Sequence, residues 1–242
     1  MKKITLITGA GRGIGYGIAK KFAENDNDLI LLVRKNSQIK NLLNLEKEYN
    51  INVKVLVGDL RNKNFVEKLN KVQKIDNLIN NASGENTKYF TSVSQKDVRE
   101  MLEINLISMF RISQIFAKKM IKKKIKGNII SLSSQLGHIG AQNRTLYSMT
   151  KFALEGLTKS LALDLGRYGI RVNTVSPTKT IVNFREKNEN TKRLKLIKHK
   201  IPLKKFSTVD EIASIVYFLT TNNASSITGT SIISDGGWTA GK

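Results

Sequence analysis

A β-branched run, Lys3–Thr8, gives way to a helical pattern near Ile14, and the joint between them is Gly9-Ala-Gly11-Arg12-Gly13-Ile14-Gly15. Three of these glycines have separate uses. Gly9 suits a tight turn after a strand, Gly13 lets backbone come close to a phosphate, and Gly15 lets a helix pack closely on a sheet. The first turn of such a helix leaves its N–H groups free, and a pyrophosphate can occupy them. A chain that begins in this way is committed to a strand–turn–helix unit with an anion site at the joint.

The rest of the chain repeats that unit. Asp28–Val33, Asn52–Val57, Ile75–Asn80, Asn128–Ser133, Arg171–Ser176 and Ser231–Ser234 read as strands, several of them apolar on both faces. Helical patterns lie between them at Ile14–Glu24, at Ser37–Tyr49 behind a Ser cap, from Ser94 to about Met120, over Thr145–Leu165, and over Val209–Thr220 after Ser207 and Thr208. This alternation predicts a single α/β domain over 1–242, a Rossmann-type doubly wound fold whose mostly parallel sheet has seven strands. Only the stretch of about 178–207 breaks the rhythm. It is polar, follows a strand's carboxyl end, and reads as a lid.

Composition removes several functions. With no cysteine among 242 residues there is no disulfide, thiolate metal site or Cys nucleophile, and a reducing, cytoplasmic setting is expected. Two histidines without HxxxH spacing leave no expected metal site. Apolar runs such as Leu29–Val33 are too short to span a bilayer, and the N-terminus lacks the apolar core of a signal peptide. The net charge of +22 raises the question of an acidic partner. Because 31 of the 41 basic residues are lysines spread along the chain, and no nucleic-acid motif accompanies them, a compositional origin is expected rather than a specific nucleic acid.

Binding of NAD would call for an acid about 20 residues beyond the glycine turn, to hold the ribose hydroxyls. The chain has Val33-Arg34-Lys35 there, and Asp28 sits at the wrong end of its strand. Arg34, with Arg12 and Lys35, instead suits a 2′-phosphate, so NADP is expected over NAD. Tyr147 and Lys151 are four apart on one helical face. A phenol has an ordinary pKa near 10, and a neighbouring ammonium favours its phenolate; the pair could exchange a proton with a carbonyl or alcohol oxygen.

Taken together, TGAGRGIG (8–15), GDL (58–60), NNAS (80–83), Asn105, SLSSQLG (131–137), Tyr147-Ser-Met-Thr-Lys151, RVNTVSP (171–177) and ITGTSIISDGG (227–237) resemble the short-chain dehydrogenase/reductase family over nearly the whole length. The resemblance implies a catalytic tetrad of Asn105, Ser134, Tyr147 and Lys151. Ser134 rather than Ser133 is implied because the family's serine lies thirteen residues before the tyrosine. In this reading Ser134 holds the substrate oxygen, with Gln135 beside it, Tyr147 exchanges the proton, Lys151 also holds the nicotinamide ribose, and Asn105 keeps a water in a proton relay. Asp59 and Leu60 would face the adenine, Asn81 and Ala82 its ribose, while Gly9, Gly11, Arg12, Gly13, Ile14, Gly15 and Pro177 complete the cofactor contacts. Relatives assemble as homotetramers, here implying Met101–Met120, Thr145–Leu165 and Gly236–Ala240 as contacts. The chain departs from the family pattern at Ser83 and Thr178, where glycine is usual, and at Val182, where the family often carries Thr near the nicotinamide carboxamide.

The segment NRTLYSMTK is similar to that of dehydrogenases of short hydroxy acids and keto-deoxy sugar acids, in which the arginine corresponding to Arg144 grips a carboxylate. From Lys179 to Lys205 there are ten Lys or Arg against two Glu, which would favour an anionic small-molecule substrate. The alternative is a 3-oxoacyl group on acyl carrier protein, an acidic partner for Lys122, Lys123, Lys124, Lys126 and Arg167. A non-catalytic cofactor binder is a further alternative.

Overall fold

The computed structural model describes residues 2–182 and 192–241. Seven parallel strands form one sheet: β1 (Ile4–Thr8), β2 (Asp28–Val33), β3 (Val53–Val57), β4 (Asn77–Asn80), β5 (Asn128–Leu132), β6 (Arg171–Pro177) and β9 (Ser231–Ser234), in the order β3-β2-β1-β4-β5-β6-β9. The order reverses between β1 and β4, and that switch point is where a doubly wound sheet opens a crevice at the strands' carboxyl ends.

Helices cover both faces because the strands are apolar on both. Against one face, α1 (Gly13–Ala23), α2 (Ile39–Tyr49) and α8 (Val209–Phe218) bury Ile18, Phe22, Leu42, Leu45, Ile212 and Val216. On the other, α3 (Lys63–Lys68), α5 (Ser108–Lys122) and α6 (Thr145–Gly166) bury Val66, Ile112, Phe116, Met120, Ala162 and Leu165. Close packing of α1 depends on Gly17, since a Cβ there would strike the Val209 side chain. Gly15 has a different use from the one expected: a Cβ there would run into the Gly9 carbonyl oxygen, so it lets the helix start close over the turn itself.

Several element boundaries differ from the sequence expectation. The long helix after Ser94 is divided into α4 (Gln95–Leu102), a π-helical turn over Glu103–Ile107, and α5. Ser94 does form a capping box with Asp97, and Thr208 does so with Glu211. Ser37 caps nothing; it lies in a 3₁₀ turn, and α2 begins behind Gln38 without a side-chain cap. The short α3, capped by Asn62, carried too little periodicity to be read.

The expected lid contains a strand pair: β7 (Thr180–Ile181) pairs in parallel with β8 (Ser207–Thr208), and α7 (Lys192–His199) lies between them. The C-terminal turn braces its far end. Leu203 N–H donates to the Gly236 carbonyl at 3.1 Å, and Gly236, at φ +65°, leaves space that Ile201 fills. Asp235 fixes that turn by accepting from the N–H groups of Gly237 and Thr239. The basic residues Arg185 and Lys187 of the lid fall outside the described residues.

Candidate active site

The crevice is built first from backbone. Thr8, the last residue of β1, accepts at its Oγ1 from the N–H groups of Asn81 and Ala82, each at 3.0 Å. Asn81 Nδ2 in turn donates to the carbonyls of Thr8 and Gly9. These bonds tie the ends of β1 and β4 together across the switch point. Gly9 and Gly13 have φ of +66° and +56°, a region that strains other L-residues, and Ala82 lies too close to Gly9 to admit a Cβ. Two residues that sequence reading did not place in the site also cover this turn. The Gln38 side chain fills the space over Gly11, and Val182 Cγ1 lies where a Gly13 Cβ would be.

Arg12 is the extended residue ahead of α1, exposed, with no acid in the helix's first turn, and Ile14 follows half-buried. Arg34 and Lys35 are exposed at the end of β2, and the Arg34 charge helps hold the Asp59 carboxyl below its ordinary range. The larger cause of that depression is Arg61, which grips Asp59 through Nε and Nη2. Leu60 is buried beside it. An exposed basic pair at the end of β2 beside a glycine-rich turn that opens a helix suits a phosphate-bearing dinucleotide.

The tetrad residues converge from three elements. Ser134 follows β5, and its Oγ accepts from the Leu136 N–H at 3.2 Å. Tyr147 and Lys151 share the first turns of α6. Lys151 is 1% exposed, its Nζ donates to the Leu132 carbonyl at 2.7 Å and stands 5.4 Å from the centre of the Tyr147 ring. The Ser133 hydroxyl is buried against Gly137 and finds no hydrogen-bond partner among the described residues. Gln135 Oε1 and Thr178 Oγ1, at the ends of β5 and β6, are buried polar atoms that no protein group satisfies. Pro177 closes β6 beside them.

Asn105 sits in the π-helical turn, fully buried. Its Oδ1 accepts from Gly84 N–H at 2.7 Å and Ser83 Oγ at 3.1 Å, and its Nδ2 donates to Gly84 O and Thr150 Oγ1, each at 3.1 Å. An amide has two donors and one acceptor oxygen, so this side chain is saturated and holds the loop. It also answers the Ser83 departure, because the extra hydroxyl ties the loop to Asn105 instead of loosening it. At the Thr178 departure φ stays negative, and its N–H donates to Ser234 O at 3.1 Å, so no glycine is needed there.

The electrostatics differ from the expectation at one point. The Tyr147 phenol is pushed up to about 12, first by burial and then by the Glu85 carboxylate; Ser134, Arg144 and Ser83 oppose the rise. The net shift is therefore opposite in sign to the depression expected beside Lys151. Burial brings Lys151 itself down to about 8, against the pull of Glu155 and Glu85. At neutral pH this arrangement holds a protonated phenol, a proton donor. Among the described residues no three His, Cys, Asp or Glu side chains converge as a metal site would require.

Residues 9–239 match the family model described as enoyl-(acyl carrier protein) reductase. The chain belongs to the short-chain dehydrogenase/reductase family. It is 37% identical to the 3-oxoacyl-[acyl-carrier-protein] reductase FabG of Buchnera aphidicola subsp. Baizongia pistaciae, over 98% of this chain and 97% of the relative. It is 31% identical to carbonyl reductase [NADPH] 2 of Sus scrofa, over 97% and 96%. A solved 4-hydroxyisoleucine dehydrogenase complexed with NADH superposes with a TM-score of 0.92 at 31% identity, covering all of both chains. As a member of this family, the protein is an NAD(P)(H)-dependent oxidoreductase interconverting alcohol and carbonyl groups.

Proposed function

We propose that this short-chain dehydrogenase/reductase uses NADP(H) and acts on a small keto or hydroxy acid, with Asn105, Ser134, Tyr147 and Lys151 as its catalytic set. The observation that carries the reading is the meeting of Tyr147, Ser134 and buried Lys151 at the carboxyl ends of β5 and β6, with β4 between them and the strand of the glycine turn. When bound, the nicotinamide delivers or takes up the hydride. In reduction the Ser134 hydroxyl holds the carbonyl oxygen, and the Tyr147 phenol gives that oxygen its proton as charge develops. Lys151 supplies the nearby positive charge. Asn105 acts by fixing the loop of Ser83 and Gly84 over the site.

The choice of NADP is supported by the exposed Arg34 and Lys35 at the end of β2, where no acid is present to receive ribose hydroxyls. Arg144, three residues before Tyr147 and only 21% exposed at its side chain, is the cation placed to grip a substrate carboxylate. No described helix is long and apolar enough to cross a membrane. The lack of cysteine suits a reducing, cytoplasmic setting.

The second reading, reduction of a 3-oxoacyl group on acyl carrier protein, is favoured by the full-length similarity to the Buchnera reductase. Against it stands the place of the supposed docking lysines. Lys126 packs beside Gly169, close to Arg167, and both turns lead into the amino ends of β5 and β6, at the sheet edge opposite Tyr147. Turnover of paired keto acids and their neutral methyl esters, with NADPH and NADH, separates these readings. We expect preference for the acid, reduced in Arg144→Ala, and a loss of roughly tenfold or more in NADPH affinity alone in Arg34→Ala, the size of one charged hydrogen bond. Activity confined to acyl thioesters would establish the second reading.

A further inference from the structure

The loop after β4 brings an acid to a place that the chemistry above does not use. Glu85 Oε2 lies 3.3 Å from Arg144 Nη1, and the two partners differ in burial: the Glu85 side chain is 70% exposed and that of Arg144 21%. Arg144 directly precedes α6, with Tyr147 in the helix's first turn. The guanidinium placed to receive a substrate carboxylate therefore already holds one, supplied by the chain.

We propose that Glu85 is a specificity-determining residue, an internal counterion on Arg144 that an anionic substrate must displace, so that it limits the preference for acids over neutral carbonyl compounds. The inference rests on the assignment of Arg144 as the carboxylate site. Of the two partners Glu85 is the one that yields, because its side chain stands mostly in water. The loop backbone stays in place during the exchange, since Gly84 is bonded to Asn105 through both its N–H and its carbonyl. If Glu85 did not leave, two carboxylates would share one guanidinium, and their repulsion would cancel much of the gain from the second. The Glu85 charge also reaches beyond this pair, raising the Tyr147 phenol and opposing the burial effect on Lys151. A pair with one exposed partner is weak, so the effect is moderate: about fivefold in selectivity, which corresponds to about 1 kcal/mol at 1.4 kcal/mol per tenfold.

The test compares acetoacetate with methyl acetoacetate in the wild type, Glu85→Gln, Arg144→Gln and the double variant. Turnover with NADPH gives kcat and KM for each compound. Calorimetry on the NADP⁺ complex gives affinities in a dead-end pairing where no hydride can move. In Glu85→Gln the acid-to-ester ratio should rise about fivefold, through KM and affinity rather than kcat, and the gain should vanish when Arg144 is also replaced. A ratio that is unchanged or falls in Glu85→Gln overturns the proposal, as does a rise that survives loss of Arg144. If neither compound turns over in any variant, the hydride-transfer reading fails for this substrate class. The calorimetric ratios then still decide for or against Glu85.

Discussion

The two ionisable groups of the active site are held away from their ordinary ranges by burial before anything else. For Lys151, burial disfavours the ammonium and brings it down to about 8, while Glu155, one turn along α6, holds it up. Glu155 is itself buried, accepting from Thr174 Oγ1 at 2.8 Å and Ser176 Oγ at 3.0 Å, with His138 Nε2 at 3.4 Å. The sign of the pH effect follows: Lys151 carries its charge below about 8 and loses it above. Carbonyl reduction should therefore decline as pH rises through about 8. Glu155→Gln should move that limb to lower pH, by up to about one unit if a charge interaction of 1.4 kcal/mol is lost. A pH profile of kcat/KM measures this, and an unmoved limb would show that Glu155 does not support the Lys151 charge. Tyr147→Phe should reduce turnover by 10²- to 10⁴-fold, the usual share of a general acid, with cofactor affinity nearly unchanged by fluorescence titration.

At the scale of elements, two irregular pieces hold the site. The π-helical turn between α4 and α5 directs Asn105 inward, where its amide joins the β4 loop to Thr150 on α6. Asn105→Ala leaves the Gly84 N–H and carbonyl without these partners inside the protein. It should cost about 1–3 kcal/mol of stability, read by denaturant unfolding, together with a loss of turnover. The second piece is the C-terminal turn that braces the lid. Gly236→Ala meets both a positive φ and Ile201 Cγ2 at 2.5 Å, so the foot of the lid must shift. We expect a substrate KM several-fold higher with kcat less affected, in line with a strain of about 1–3 kcal/mol at such a position. Steady-state kinetics would show a kcat effect alone if the lid did not depend on this brace.

Among the described residues, a group of exposed apolar side chains lies along α5 and α6. Ile107 at the end of the π-helical turn, Phe110 at the start of α5, and Met149, Phe152 and Leu163 along α6 are exposed, Leu163 by 84%. Scattered apolar residues are ordinary, but this many on two neighbouring helices point to association, and we expect a homotetramer, as the family resemblance implied. Phe152→Glu would place a charge in that contact. Sedimentation should then show a smaller species than the wild type, while an unchanged mass would move the interface elsewhere, for instance to Phe218 on α8 and Ile233 on β9.

All seven strands of the main sheet, the glycine turn and the Tyr147–Lys151 face were legible in the sequence, because each depends on local rules: alternation, turn chemistry and helical spacing. The division of the helix at Glu103–Ile107 was not legible, since Asn105 turns inward for partners that lie 21 and 45 residues away. Nor were Gln38 and Val182 on the glycine turn, or Glu85 on Arg144, for the same reason. The amino-acid order determined by itself that the chain folds as a parallel α/β sheet with a dinucleotide turn and a tyrosine–lysine pair, all features within one helix or one turn. Tertiary structure alone decided the charge state of that pair and what guards Arg144, because burial and long-range charge are properties of the assembled molecule.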